Sequence, residues 1–98
     1  MISIKMYRQG EDLVIGACDE ELLGKKFTKG KLQIDCSRQF YDGDRVSIKA
    51  FEKIITDATI ANLVGKKTVS SAVKLGLIDP QCILTIKGVP HAQMIRML

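Results

Sequence analysis

The chain reads as a single α+β domain over residues 1–98. A mostly antiparallel sheet from N- and C-terminal strands is expected, with a two- or three-helix segment packed on one face. Three observations predict this class. Apolar and polar side chains alternate at the start of the chain and again over residues 32–36. Over residues 48–61 the apolar spacing lengthens to three and four, the period of an amphipathic helix. After Asp79-Pro80 short strand-like runs return, so strands and helices are segregated, where a doubly wound fold would alternate them.

Ile2, Ile4 and Met6 alternate with Ser3, Lys5 and Tyr7, which predicts a strand with one buried face. Gln9-Gly10-Glu11-Asp12 has turn chemistry, and the apolar residues 13–18 predict a second strand antiparallel to the first. Asp19 is placed to cap one helical turn over residues 20–23, ended by Gly24. A polar connector, residues 25–31, precedes a strand carried by Leu32, Ile34 and Cys36, and Phe40-Tyr41-Asp42-Gly43-Asp44 reads as a turn with two aromatics. Ser47 is the expected cap of the main helix, whose apolar stripe runs through Ile48, Phe51, Ile54, Ile55, Ala58 and Ala61. Weak helix formers near residues 57–59 allow a break, and Gly65 is the expected stop. Thr68 caps a further helix over residues 69–75, closed by Gly76. Residues 82–87 predict a strand, Gly88-Val89-Pro90 a turn, and residues 91–97 a last strand or short helix.

Composition bounds the function. Ninety-eight residues, 46% of them apolar, suffice for one domain with its own core. No apolar run approaches the ~20 residues of a membrane span, so no membrane partner is expected. The alternating start lacks the basic-then-apolar order of an export signal, which points to the cytoplasm. Cys18, Cys36 and Cys82, an odd and widely spaced set within apolar runs, read as buried reduced thiols. The formal net charge of +4 permits phosphate-bearing or acidic partners.

The lysines are therefore the first candidates for a site. Lys25, Lys26, Lys29 and Lys31 crowd a segment with Gly24, Thr28 and Gly30, and Lys66-Lys67 follow Gly65. Small residues let a phosphate approach the backbone, so these six lysines are candidate RNA contacts, with Tyr41 or Phe40 as a stacking surface between Arg38 and Arg45. The competing reading is a set of solvated loops with the aromatics packed over a sheet edge. Gly65-Lys66-Lys67-Thr68 invites comparison with a phosphate-binding loop. However, Ile60 stands where that motif needs its first glycine, and the segment reads as a joint between two helices. A helix-turn-helix over residues 60–77 fares no better, because residues 69–75 offer no Arg, Asn or Gln to read base edges.

Chemistry beyond binding has thin support. His91, the single histidine, has no Ser, Cys or carboxylate at a recognisable catalytic spacing. No close cysteine pair marks a zinc site, so no metal and no cofactor are expected. The balance falls against an enzyme. The alternative is a small enzyme or metal-binding protein centred on Asp19, His91 and Cys18, and a ligand or partner site at Asp19, Asn62 and His91 is a related candidate. A third class is a protein-interaction or self-association module, a homodimer for instance, using a sheet edge or the tail Met94-Ile95-Arg96-Met97-Leu98.

Four segments carry a resemblance. Cys18-Asp19-Glu20-Glu21-Leu22-Leu23-Gly24-Lys25, Phe40-Tyr41 with Gly43, Ala61-Asn62-Leu63-Val64-Gly65 (with Ala58 and Ile60, read as helical) and Gly88-Val89-Pro90-His91-Ala92 occur in this order over nearly the whole chain. Together they resemble an archaeal family of small single-domain proteins of unknown function. The resemblance implies an archaeal cytoplasmic protein and leans toward a partner in RNA or in a ribonucleoprotein such as the translation machinery.

Overall fold

The computed structural model describes residues 1–96. It opens with an antiparallel hairpin of β1 (Ile2–Gln9) and β2 (Asp12–Asp19), turned at Gly10-Glu11. A short two-stranded hairpin follows, β3 (Lys26–Lys29) and β4 (Leu32–Asp35), then a single turn of helix, α1 (Arg38–Tyr41), and an edge strand, β5 (Asp44–Val46). Helix α2 (Ile48–Ile55) leads to β6 (Ile60–Val64), and helix α3 (Lys66–Lys74) leads to a second hairpin of β7 (Leu84–Ile86) and β8 (Val89–Ile95). The main sheet has six strands in the order β5-β1-β2-β6-β8-β7. The pair β2–β6 is parallel and the other pairings of this sheet are antiparallel.

The α+β class is thus observed, and the first and last hairpins share one sheet, joined by β6 between them. Pleating sorts the side chains onto two faces. Ile2, Ile4, Ile15, Ala17, Ala61, Leu63, Ala92 and Met94 point to one face, where Phe51 and Ile55 of α2 and Val69 and Ala72 of α3 close the larger core. Cys18 and Val64 point to the other face, under Ile34 of the β3–β4 hairpin, Tyr41 of α1 and Ile86 of β7. Gly16 makes this second layer possible at its edge. A Cβ there would stand 2.7 Å from the Phe40 ring and 2.8 Å from the Phe40 carbonyl oxygen.

Several elements differ from the sequence expectation, each for a physical reason. Residues 60–64, expected to continue the helix, form the central strand β6. Its apolar residues serve both cores, so it lacks the alternation of a half-exposed strand. The Ala61-Asn62-Leu63-Val64-Gly65 motif is therefore a strand and a turn. Residues 26–29, expected as connector, pair with β4, and Phe27 opposite Ile34 supplies the buried side of that hairpin. Phe40 and Tyr41 lie on a helical turn, and residues 89–90, expected as a turn, open β8. Ser47 caps α2 as expected, its hydroxyl accepting from the Ala50 amide at 3.1 Å. Of the tail, Met94 is buried and Ile95 exposed, while Met97 and Leu98 lie outside the described residues.

Candidate anion-binding cleft

The parallel pair β2–β6 sets the site, because both central strands finish at the same end of the sheet, where α3 begins. Asp19, the last residue of β2, was expected to cap the turn that follows it, and its side chain makes no such bond. Its carboxylate instead crosses to α3 and accepts from the Lys67 amide at 3.1 Å, the Thr68 amide at 2.9 Å and the Thr68 hydroxyl at 2.8 Å. Asp19 is 4% exposed, so these bonds stand where water does not compete. Gly65 makes the approach possible. Its φ is +110°, and a Cβ would lie 2.4 Å from the Asp19 carboxylate carbon. Thr68, expected as the cap of a helix starting at 69, sits inside the first turn of α3 as a donor.

Beside this junction opens a cleft of about 340 Å³. Lys66 and Lys67 from the start of α3 and Lys87 from the β7–β8 turn line it, together with the carboxylates of Glu21 and of Asp19, the latter already engaged by α3, and with Pro90. All three lysines are exposed. Each is held where local energetics disfavour it. Lys66 and Lys67 occupy the first turn of α3, where the backbone dipole alone disfavours cations and the Asp19 carboxylate bound there offsets part of that cost. Lys87 has φ +52° and Gly88 φ +78°, both left-handed, as in a two-residue hairpin turn that favours Asn-Gly or Gly-Gly. A lysine there costs about 1 kcal/mol.

The other sequence candidates fall elsewhere. Lys25, Lys26, Lys29 and Lys31 belong to the exposed β3–β4 hairpin and do not line the cleft, and Lys26 pairs across the hairpin with Asp35. Tyr41 is 6% exposed, packed edge-on against Phe40, so it offers no stacking face, which corrects its expected role. Phe40 in turn stacks on Tyr7, with centroids 5.3 Å apart, while the Tyr7 hydroxyl donates to the Phe40 carbonyl at 2.9 Å. These aromatics fasten α1 to the sheet. Arg38 and Arg45 are both engaged by Asp42, at 3.1 and 2.5 Å, and Arg45 also by Glu20 at 3.1 Å.

Asp19, Asn62 and His91 do not assemble into one site. Asp19 is on the α3 side of the sheet, whereas Asn62 and His91 alternate with Ala61, Leu63 and Ala92 and so face the opposite side. His91 is half-buried between Val64 and Leu84 in register, and burial holds its imidazole below the ordinary value. Cys18 lies buried in the same core as Cys36, and the neighbouring thiol together with burial pushes Cys18 up. Cys82, expected to be buried in a strand, is exposed on a 3-10 turn at residues 80–82. Among the described residues no group of three or more His, Cys, Asp or Glu side chains is placed to hold a metal. The arrangement at Lys66, Lys67 and Lys87 can hold an anion. Sequence reasoning missed Lys87, whose signal was a Lys-Gly pair at a tight hairpin turn.

A protein-family model described as "Protein of unknown function (DUF424)" matches residues 7–97. The chain belongs to the DUF424 family. This agrees with the resemblance to an archaeal family of unknown function, since a solved structure similar to this DUF424 chain comes from an archaeon. It is the crystal structure of an uncharacterized conserved protein from Methanopyrus kandleri, at 24% identity and a TM-score of 0.74, over 99% of this chain and 95% of that one. At that identity the likeness shows a common fold. No curated protein matches the chain. No helix among the described residues is long and apolar enough to cross a membrane.

Proposed function

We propose that this protein is a small basic binding module for RNA, or for a ribonucleoprotein that exposes RNA, working in the cytoplasm of an archaeal cell. Phosphate groups are held by Lys66, Lys67 and Lys87. One observation carries the reading: three cations from two separate elements line one cleft, each at a position that its own backbone disfavours. Local preferences are overridden most often where a site needs them overridden. An anion is the ligand suited to three lysines that line one cleft, and a polyanion engages them together.

The helix amides of Lys67 and Thr68 play no part in this, because Asp19 already occupies them. Asp19 therefore acts as a built-in anion that fixes the start of α3 and leaves the side chains to meet the ligand. That division also separates the cleft from a phosphate-binding loop, although the strand–Gly65–α3 order matches one and removes the helix–helix objection raised from sequence. The first glycine of that motif is still Ile60, so nucleotide hydrolysis by this route stays rejected. The lysines of the β3–β4 hairpin add to the general positive field and are secondary contacts.

The test is a salt titration of RNA binding. Filter retention of a labelled single-stranded RNA at low salt should show binding that weakens with salt, with a log–log slope of about −2 for three phosphate contacts. No retention of any RNA at low salt would overturn the reading.

A further inference from the structure

An apolar groove of about 380 Å³ runs on from the lysine cleft, and Lys66 and Pro90 belong to both. Val73 of α3 and Ile83, just before β7, form its sides, Pro80 and Pro90 add flat aliphatic faces, and the exposed Ser70 and Thr85 bring hydroxyls to its rim. Apart from Lys66 the groove is uncharged. A cationic cleft continuous with an apolar slot suits a ligand with the same division, an anionic group joined to a flat body whose faces are apolar and whose edge is polar. A nucleotide has that division.

We propose that cleft and groove together take one unpaired nucleotide of an RNA strand, its phosphate among Lys66, Lys67 and Lys87 and its base between Val73 and Ile83. This rests on the RNA reading above and adds that the strand is read through a splayed-out base. A base in a duplex is stacked on both faces and cannot enter such a slot without leaving the helix. The rim is suited to contact the edge of the base. The Ser70 hydroxyl donates its proton to the Lys66 carbonyl at 2.5 Å, which leaves its oxygen free to accept, and the Thr85 hydroxyl makes no hydrogen bond among the described residues. Hydroxyls both give and accept, so the slot tolerates more than one base. The lining carries no aromatic side chain, and the base is held by aliphatic and proline faces.

The test compares a fluorescein-labelled single-stranded RNA decamer with its blunt duplex by anisotropy, using wild type, Ser70→Leu and Thr85→Glu. Both positions are exposed, and duplex binding controls for fold in Ser70→Leu. Wild type should bind the single strand at least about threefold tighter than the duplex, from burial of apolar base surface against the aliphatic and proline faces of the slot. Ser70→Leu, which fills the slot without changing charge, should erase that preference and leave duplex binding within about twofold, whereas Thr85→Glu, whose carboxylate also repels phosphates near Lys66, should weaken both RNAs and the single strand more, so that the preference is lost. An unchanged preference in both variants, or equal binding of the two RNAs by wild type, would overturn the slot while leaving the lysine cleft standing. Adenosine monophosphate binding as tightly as the strand would also overturn it, by making a free nucleotide the occupant. If wild type retains neither RNA, the fault lies with the RNA reading itself.

Discussion

The two lysine groups carry similar charge and differ in how the backbone holds them. Lys25, Lys26, Lys29 and Lys31 sit on a short exposed hairpin anchored by Phe27 and Ile34, and Lys26 faces Asp35. Charged side chains are at ease there, because they keep an open strand edge soluble. Lys66, Lys67 and Lys87 sit at the positive end of α3 and at a left-handed turn position, where alternatives without charge would suit the backbone better. The contrast teaches that crowding of cations along a sequence is weak evidence for a site. Cations placed against local preference, and brought together from different elements, are stronger evidence.

The largest effect is expected at the junction that holds the cleft together. Asp19→Ala leaves two amides and the Thr68 hydroxyl without their acceptor in a buried setting, and should lower stability by about 3 kcal/mol in urea unfolding. Asp19→Asn keeps one acceptor oxygen and should lose less. A loss below about 0.5 kcal/mol for Asp19→Ala, the range of ordinary surface changes, would mean that α3 is not anchored by this carboxylate.

The comparison itself sharpens with the next experiment. Removing these cations in a Lys66→Ala, Lys67→Ala, Lys87→Asn variant should raise stability by about 1 kcal/mol, chiefly through relief at the left-handed turn position of Lys87. Replacing all four hairpin lysines by alanine should change it by less than about 0.5 kcal/mol. Equal shifts for the two sets would erase the distinction drawn between them.

The smallest effect concerns the other face of the sheet. Burial lowers the His91 pKa from 6.5, so the unfolded chain takes up a proton that the folded one resists. The sign follows: stability is full above about pH 6.5 and declines as pH falls toward the depressed folded value. Melting temperature should drop from pH 7 to pH 5, and His91→Gln should flatten part of that slope. A His91→Gln profile parallel to wild type would show the imidazole to be uninvolved.

How far the sequence was legible depended on how many faces each element buries. The strands β1, β2 and β4 and the cap at Ser47 were readable, since each shows one period or one local motif. β6 was not, because Ile60, Ala61, Leu63 and Val64 are shared between two cores and their spacing continues the three- and four-residue steps of α2. Thr59 and Gly65, bounding a five-residue run, were the available signal. The misreading of β6 hid the parallel pair, and with it the fact that Asp19 and α3 meet at one end of the sheet. Two lysines of the site were visible as a Lys-Lys pair. The third was not, since nothing in the sequence joins Lys87 to residues 66–67 until β8 is laid beside β6. Tyr41 was misjudged because its burial under the second core is a tertiary event.

Which ammonium groups meet the ligand is decided most directly by a comparison of RNA affinities. At low salt, with a single-stranded RNA probe, the Lys66→Ala, Lys67→Ala, Lys87→Asn variant should bind at least roughly tenfold more weakly than wild type and show a flatter salt dependence. The variant lacking the four hairpin lysines should stay within about threefold of wild type, as expected of lysines that supply only diffuse field. Full affinity in the first variant, with the loss falling on the second, would contradict the cleft as the binding site.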